Sequence, residues 1–282
     1  MDTIPSITAM QSRSERERGA GRRVALVPTM GYLHEGHLSL VREARGRADV
    51  VVVSLFVNKI QFNDARDFDS YPRDLGRDAR MLESVGADVL FAPEHEDMYP
   101  RGFRTSVEVD GITERLCGAF RPGHFRGVTT VVAKLFHATR PHVAIFGEKD
   151  YQQLVTIRTM ARDLNMGIEV IGLPTVREPD GLAMSSRNVR LTPEQRELAR
   201  AIPDTLFEAA KRVRGGEKDA AGLAGWVRER LARTAQFRVE YVEIVDAEDL
   251  APLTELVRPA RLAIALHLGH TRLIDNVALD PA

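Results

Sequence analysis

Cysteine is nearly absent from this chain of 282 residues: Cys117 stands alone. A single thiol excludes an intrachain disulfide and any all-cysteine metal site, and it fits a reducing compartment. An excess of either charge is lacking too, since 39 basic side chains face 40 acidic ones for a formal net charge of −1. That balance argues against a protein that coats nucleic acid, which normally carries a basic surplus. Long apolar runs are missing as well. The strongest, Val50 to Val57, spans eight residues and contains Ser54, whereas a membrane-spanning helix needs about 20. The segment SRSERERGAGRR (12–23) has no apolar core of the secretory-signal kind. A cytoplasmic protein with neither a membrane nor a nucleic-acid partner is expected. No GxxxxGK[ST] phosphate loop occurs, which excludes an ordinary P-loop ATPase, and without a GxSxG elbow no Ser/His/Asp reading works well.

What is present is globular in texture, with 44% apolar and 28% charged residues. At about 150 residues per domain the length suggests two domains. The first 22 residues are polar and predict a loosely held segment with one short helix. Short apolar runs then recur at 24–27, 50–57, 87–92, 142–146 and 167–173. Continuous runs of this kind suit strands buried on both faces of a parallel sheet. Helical spacing separates them, with patterns running to about Arg47, over 75–85, through Val128 to Phe136 and over 154–164. The alternation predicts an α/β fold: a Rossmann-like doubly wound parallel sheet over residues 1–174. A smaller α+β domain is expected over 175–282. In it, Thr192 to Gln195 reads as a capping box with Pro193 at the first helical position. Pro203 should kink or split the helix that follows. Residues 219–234 read as a further helix, and 237–245 and 260–266 as strands. Thr105 to Val109 is strand-like.

Polar motifs gather after the carboxyl ends of the predicted strands, where parallel sheets bind ligands. The segment Met30, Gly31, Tyr32, Leu33, His34, Glu35, Gly36, His37 follows the first run, and Asn58 and Gln61 follow the second. Gly147, Glu148, Lys149, Asp150 and Gln153 follow the fourth, and Val176 with Met184, Ser185, Ser186 and Arg187 follows the fifth. His34 and His37 stand at the expected start of a helix, whose first N–H groups and dipole favour an anion such as phosphate. Zinc is the weaker reading, because the two histidines are three apart and not four as in HExxH. A plain helix cap with surface histidines is the alternative. Lys149, one of five lysines, suits a phosphate oxygen. Ser185, Ser186 and Arg187 form a phosphate-gripping set, although each stretch would also serve as a solvated loop. Gly181 and Pro179 predict that the loop is mobile. Asn58, Gln61 and Gln153 are poor acid–base catalysts but orient a hydroxyl or carboxylate, and Asn58 and Gln61 would equally satisfy loop backbone. His124 opens a helix and is balanced between capping it and facing phosphate.

Six segments in order carry a resemblance: PTMGYLHEGHLSLV (28–41), FVNKIQF (56–62), YPRDL (71–75), RPGHFRGV (121–128), FGEKDYQQL (146–154) and REPDGLAMSSRN (177–188). Together they resemble the pantoate–β-alanine ligases of the nucleotidylyltransferase superfamily, densely over 24–190 and loosely beyond. The resemblance implies ATP-dependent joining of (R)-pantoate to β-alanine through a pantoyl adenylate, with Mg2+ accompanying ATP, in a homodimer. It implies that Met30 to His37, Gly147 to Asp150, Val176 and Met184 to Arg187 bind ATP. His37, His34, Lys149 and Arg187 would carry the chemistry. Gln61 and Gln153 would hold pantoate, Gln61 also lying near β-alanine, with Asn58 and His124 as further substrate partners. The domain over 175–282 would close over ATP. Asp78 is a candidate metal ligand but reads better as an exposed helical carboxylate, so no metal ligand is named. One departure stands out: the family pattern FVNPxQF has Lys59 in place of proline, which predicts a looser turn around Asn58 and Gln61. Other adenylyltransferases would share His34 and His37 but would not need Gln61 with Gln153. A catalytically silent nucleotide-binding relative would have lost one of His34, His37, Lys149 or Arg187, and all four are present.

Overall fold

The computed structural model describes residues 1–281. The chain divides into two compact units. The first comprises Met1–Asp110, Arg121–Glu148 and Thr156–Pro174; the second comprises Gly111–Phe120, Lys149–Val155 and the chain from Thr175 onward. In chain order the elements begin β1 (Asp2–Ile4), α1 (Ile7–Gly19), β2 (Val24–Thr29), α2 (Glu35–Arg47), β3 (Val50–Leu55), α3 (Ala65–Asp69), α4 (Leu75–Ser84) and β4 (Val89–Phe91). They continue with α5 (His95–Met98), α6 (Cys117–Phe120), α7 (His124–Thr139), β5 (Val143–Gly147), α8 (Tyr151–Asp163) and β6 (Glu169–Leu173). The last are α9 (Pro193–Ala199), α10 (Ala201–Arg214), α11 (Ala220–Ala232), β7 (Phe237–Asp246), β8 (Ala260–Leu268) and β9 (Thr271–Leu279).

In the first unit six strands form one parallel sheet in the order β1-β4-β3-β2-β5-β6. The strands are apolar throughout because both faces are covered. On one face Val27, Val53 and Ile145 pack beneath Leu38 and Val41 of α2 and Leu82 of α4. Helices α1 and α7 pack on each other and on β2. From β2 the chain winds through β3 to β4, then returns to place β5 and β6 on the other side of β2. The winding therefore reverses between β2 and β5, and the crevice beyond their carboxyl ends is the natural ligand site of such a sheet.

In the second unit β7, β8 and β9 form an antiparallel sheet, with α11 against β7 and α10 against β9. Leu206, Leu223, Leu231, Leu262, Ile264 and Leu266 are central to its core. The break expected at Pro203 occurs: α9 ends at Ala199 and α10 begins at Ala201. Pro203 then lies in a first turn, where its missing N–H leaves no helical hydrogen bond unmade. The capping box is also present, Thr192 Oγ1 accepting from Gln195 N and Gln195 Oε1 from Thr192 N, both at 3.2 Å.

Two expectations are corrected, and one strand is added. The first 22 residues are not loosely held: β1 adds a sixth strand beside β4, and α1 is 13 residues long and capped by Ser6. Its packed side is mixed, with Met10, Ser14 and Glu17 all buried. Glu17 is paired with Arg13 at 2.5 Å and with Arg22, so little apolar periodicity marks the helix. Thr105 to Val109 is not a strand. It is tied to α7 by side chains instead, Thr130 Oγ1 accepting from Val107 N at 3.0 Å and Thr129 Oγ1 donating to Val107 O at 2.6 Å. Strand β9, unforeseen, completes the second sheet. Among the described residues no helix is long and apolar enough to cross a membrane. Met10 is fully buried, so Met10→Ala should cost about 2–5 kcal/mol in chemical denaturation; a change under about 0.5 kcal/mol would mean that α1 does not pack as described.

Candidate active site

The turn joining β2 to α2 is built before any ligand arrives. Gly31 and Tyr32 both take left-handed backbone, with φ of 83° and 52°. For tyrosine that conformation costs about 1–2 kcal/mol. A buried carboxylate offsets it. Asp78 of α4 has no exposed surface and accepts from Tyr32 N at 2.6 Å and Leu33 N at 2.9 Å. Arg77 holds the other side of the same residues, donating to Leu33 O at 2.9 Å and lying 5.1 Å from the Tyr32 ring centre. The reading of Asp78 as an exposed helical carboxylate is thus overturned: its oxygens face the backbone of the turn.

Helix α2 then begins with a capping box made of two imidazoles. His34 is the N-cap, its Nδ1 accepting from Gly36 N at 3.2 Å, and His37 Nδ1 accepts from His34 N at 3.3 Å. The ring centres are 4.1 Å apart. A backbone N–H can only donate, so each Nδ1 must be the acceptor nitrogen. In the neutral ring the proton therefore sits on Nε2. Two N–H donors turned away from the cap, above the positive end of a helix, suit an oxyanion. Glu35 is exposed and paired with Arg42.

The substrate candidates of the first unit form one cluster. Asn58 and Gln61 are buried, at 1% and 9% exposure. Asn58 Nδ2 donates to Gln61 Oε1 at 2.9 Å and to Gly127 O at 3.0 Å, while its Oδ1 accepts from the Tyr99 hydroxyl at 2.8 Å. Gln61 Nε2 lies 3.3 Å from Met30 Sδ. His124 Nδ1 is 2.8 Å from Gln61 O and its Nε2 is 3.2 Å from Arg121, so this imidazole is engaged with the turn. Lys59 is exposed, with its ammonium 5.8 Å from the Phe68 ring centre. With Lys59 in the turn, its backbone is held by Gln61 N on Asn58 O at 3.3 Å and Phe62 N on Lys59 O at 3.1 Å. Gly127 permits the close approach: a Cβ there would lie 2.7 Å from Ile60 O and 2.8 Å from Gln61 Cα.

In the second unit Lys149 is half-buried in the short turn that follows β5, 3.8 Å from Asp150. Its carbonyl accepts from Asn276 Nδ2 of β9 at 2.9 Å. Gln153 is half-buried, whereas its neighbour Gln152 is fully spent on Cys117 N, Ile112 O and Arg115 O. Val176 and Met184 close a small hairpin, Met184 N donating to Val176 O at 3.0 Å. The segment expected to be mobile makes several side-chain hydrogen bonds within the second unit. Arg177 grips Asp275 of β9 through two bonds of 2.7 and 2.9 Å, and Arg196 grips Asp180 through two of 2.8 and 2.7 Å. Asn188 Nδ2 donates to Glu178 at 2.6 Å. Burial pushes the Asp275 carboxyl above its usual range even against Arg177. Burial also acts on Asp180, but there Arg196 and the Leu182 N–H outweigh it and hold the carboxyl low. The hairpin carries Ser185, Ser186 and Arg187, all half-buried, with Arg187 N on Ser185 Oγ at 3.2 Å. Gly147 and Glu148 lie at the end of β5 in the first unit.

The sequence profile of the family described as pantoate-beta-alanine ligase matches residues 2–278. The chain belongs to the pantoate–β-alanine ligase family. A pantothenate synthetase of Syntrophotalea carbinolica is 53% identical over 276 residues, 98% of each chain. One from Syntrophobacter fumaroxidans is 51% identical over 282 residues, 100% of each. A crystal structure of the Thermus thermophilus pantothenate synthetase superposes with a TM-score of 0.94 at 46% identity, covering 100% of both chains. The pantoate–β-alanine ligase of Francisella tularensis, solved with β,γ-ATP and β-alanine, gives 0.80 at 34% identity over 98% of this chain and 97% of its own.

Among this ligase's polar anchors, sequence reasoning missed Tyr99, Asn276 and the part played by Asp78. For Asp78 a signal existed. It stands four residues before Leu82, and both are buried on one side of α4, so a carboxylate occupied a position of the helix's inward stripe. Such a group needs partners, and only the fold shows them. Asp78→Asn keeps the shape but turns one acceptor into a donor facing a backbone N–H. It should cost about 1–3 kcal/mol in chemical denaturation, together with most of the ligase activity; an unchanged unfolding midpoint would contradict the clamp.

Proposed function

We propose that this chain makes pantothenate in two steps. (R)-Pantoate and ATP give pantoyl adenylate and diphosphate, and the β-alanine amine then displaces AMP from the acyl carbon. The first step is needed because a carboxylate is a poor electrophile and an amine would sooner take its proton; AMP makes a good leaving group. The observation that carries the reading is the pair of Nε2–H donors on His34 and His37 in a chain of this family. As the α-phosphate is transferred, negative charge grows on its oxygens, and donors already fixed in place each contribute on the order of 3 kcal/mol. His37 is the proposed proton donor, with His34 beside it. Lys149 and Arg187 hold the phosphates with Ser185 and Ser186. Met30 to His37, Gly147 to Asp150, the Val176 backbone and Met184 complete the ATP contacts. Gln61 and Gln153 hold pantoate, with Asn58 and His124 shaping the Gln61 turn.

Mg2+ is expected to arrive on the phosphates of ATP. Among the described residues no group of three or more His, Cys, Asp or Glu side chains is placed to hold a metal, and the Asp78 oxygens already bind backbone. The family resemblance supports a homodimer, and the lone buried Cys117 supports a cytoplasmic site.

The test supplies ATP and pantoate with and without β-alanine. Pantoate-dependent exchange of diphosphate into ATP should occur without β-alanine, and AMP with pantothenate should accumulate once it is added. Exchange that ignores pantoate would overturn the reading. His37→Ala should lower pantoyl adenylate formation about 100-fold or more with the fold retained; formation at the parental rate would remove His37 from the chemistry.

A further inference from the structure

Tyr99 follows the short helix α5, and nothing in the mechanism above uses it. Its ring lies among aromatic neighbours, with centres 6.1 Å from Phe56, 5.3 Å from His95 and 5.1 Å from Phe103, and with Lys134 Nζ 5.9 Å away. Burial pushes the phenol well above its usual range, so it keeps its proton. The hydroxyl touches Asn58 Oδ1 at 2.8 Å.

The direction of every bond beyond that point is forced. The Gly127 carbonyl only accepts, so the amide nitrogen of Asn58, 3.0 Å away, must face it. The same nitrogen also reaches Gln61 Oε1 at 2.9 Å. Asn58 Oδ1 is then the end turned to Tyr99, and the phenol must donate. With its oxygen held by Asn58, Gln61 turns its NH2 the other way, where Met30 sulfur is a weak acceptor at 3.3 Å. The hydrogen bonds run one way: Tyr99 to Asn58, Asn58 to Gln61, and Gln61 to the Met30 sulfur.

We propose that Tyr99 is a positioning residue which, through Asn58, fixes the Gln61 amide so that it offers N–H and not C=O to the substrate. The ligand group at Gln61 is then an oxygen acceptor, a carboxylate or hydroxyl of pantoate. The proposal rests on the assignment of Gln61 to pantoate, and the control below separates the two.

Steady-state kinetics of the full chain, with each substrate varied in turn, test it on Tyr99→Phe, Asn58→Asp and Gln61→Ala. Tyr99→Phe should raise the KM for pantoate about tenfold, the order expected when one neutral hydrogen bond is lost. The KM for ATP should stay within about twofold, a split that general loosening of the fold would not produce. Asn58→Asp keeps the volume but can only accept, so Gln61 must reverse; its pantoate KM should rise further than that of Tyr99→Phe. It also serves if the phenylalanine variant does not fold. Parental pantoate KM in either of these variants, while Gln61→Ala is impaired, overturns the proposal alone. Parental pantoate KM in Gln61→Ala overturns both the proposal and the assignment beneath it. Equal rises in all three KM values for Tyr99→Phe reduce it to a structural residue.

Discussion

Two backbone N–H groups, those of Tyr32 and Leu33, end on the carboxylate of Asp78 in the interior of the first unit. The bonds are charge-assisted, a class worth about 1.5–3 kcal/mol each, and they hold a turn that a non-glycine residue at φ 52° would otherwise resist. Everything after the turn inherits its geometry. The chain enters α2 with His34 as N-cap, so His34 and His37 fall on one side of the first turn and can cap each other's backbone. Their inner nitrogens are spent on structure, and in the neutral rings their outer ones carry the proton. The same interaction that starts the helix thus sets the chemistry its tip can perform.

Amide side chains play the comparable part elsewhere. Asn58, Gln152 and Asn276 each bind main-chain groups distant in sequence, and each adjoins or supports a residue assigned to substrate. An amide offers a donor end and an acceptor end, so one backbone partner decides how the whole group is turned. On β9, Asn276 holds the Lys149 carbonyl while its neighbour Asp275 holds Arg177 at the base of the hairpin bearing Arg187. Adjacent positions of one strand therefore register two of the segments assigned to phosphate. Preorganisation of this kind is what lets donors act on developing charge without first having to move.

Much of the fold was legible because buried parallel strands are written as unbroken apolar runs, and β2 to β6 match such runs to within two residues. Pro203 marked the break between α9 and α10 for an equally local reason. The imidazole pair was legible from its place after a strand. What could not be read depends on partners far apart in sequence. The buried side of α1 sets Ser14 and Glu17 beside Met10, with Glu17 held by Arg13 and Arg22, so it shows no period. Strand β9 interrupts its apolar residues with Arg272, Asp275 and Asn276, and its role in the second sheet appears only once β8 is paired with it. Tyr99 meets Asn58 across 41 residues and Asp78 meets Tyr32 across 46; no spacing rule reaches that far. The hairpin before Arg187 looked loose because Pro179 and Gly181 are visible locally, whereas Asp275, which anchors it, is not.

The tautomers of His34 and His37 test the central claim most directly. In protein carrying 15N-labelled histidine, long-range 1H–15N correlation spectra above the titration range should show both Nδ1 atoms bare and both Nε2 atoms protonated. Either ring with its neutral-form proton on Nδ1 would contradict the reciprocal cap, and with it the account of how α2 presents donors to an oxyanion.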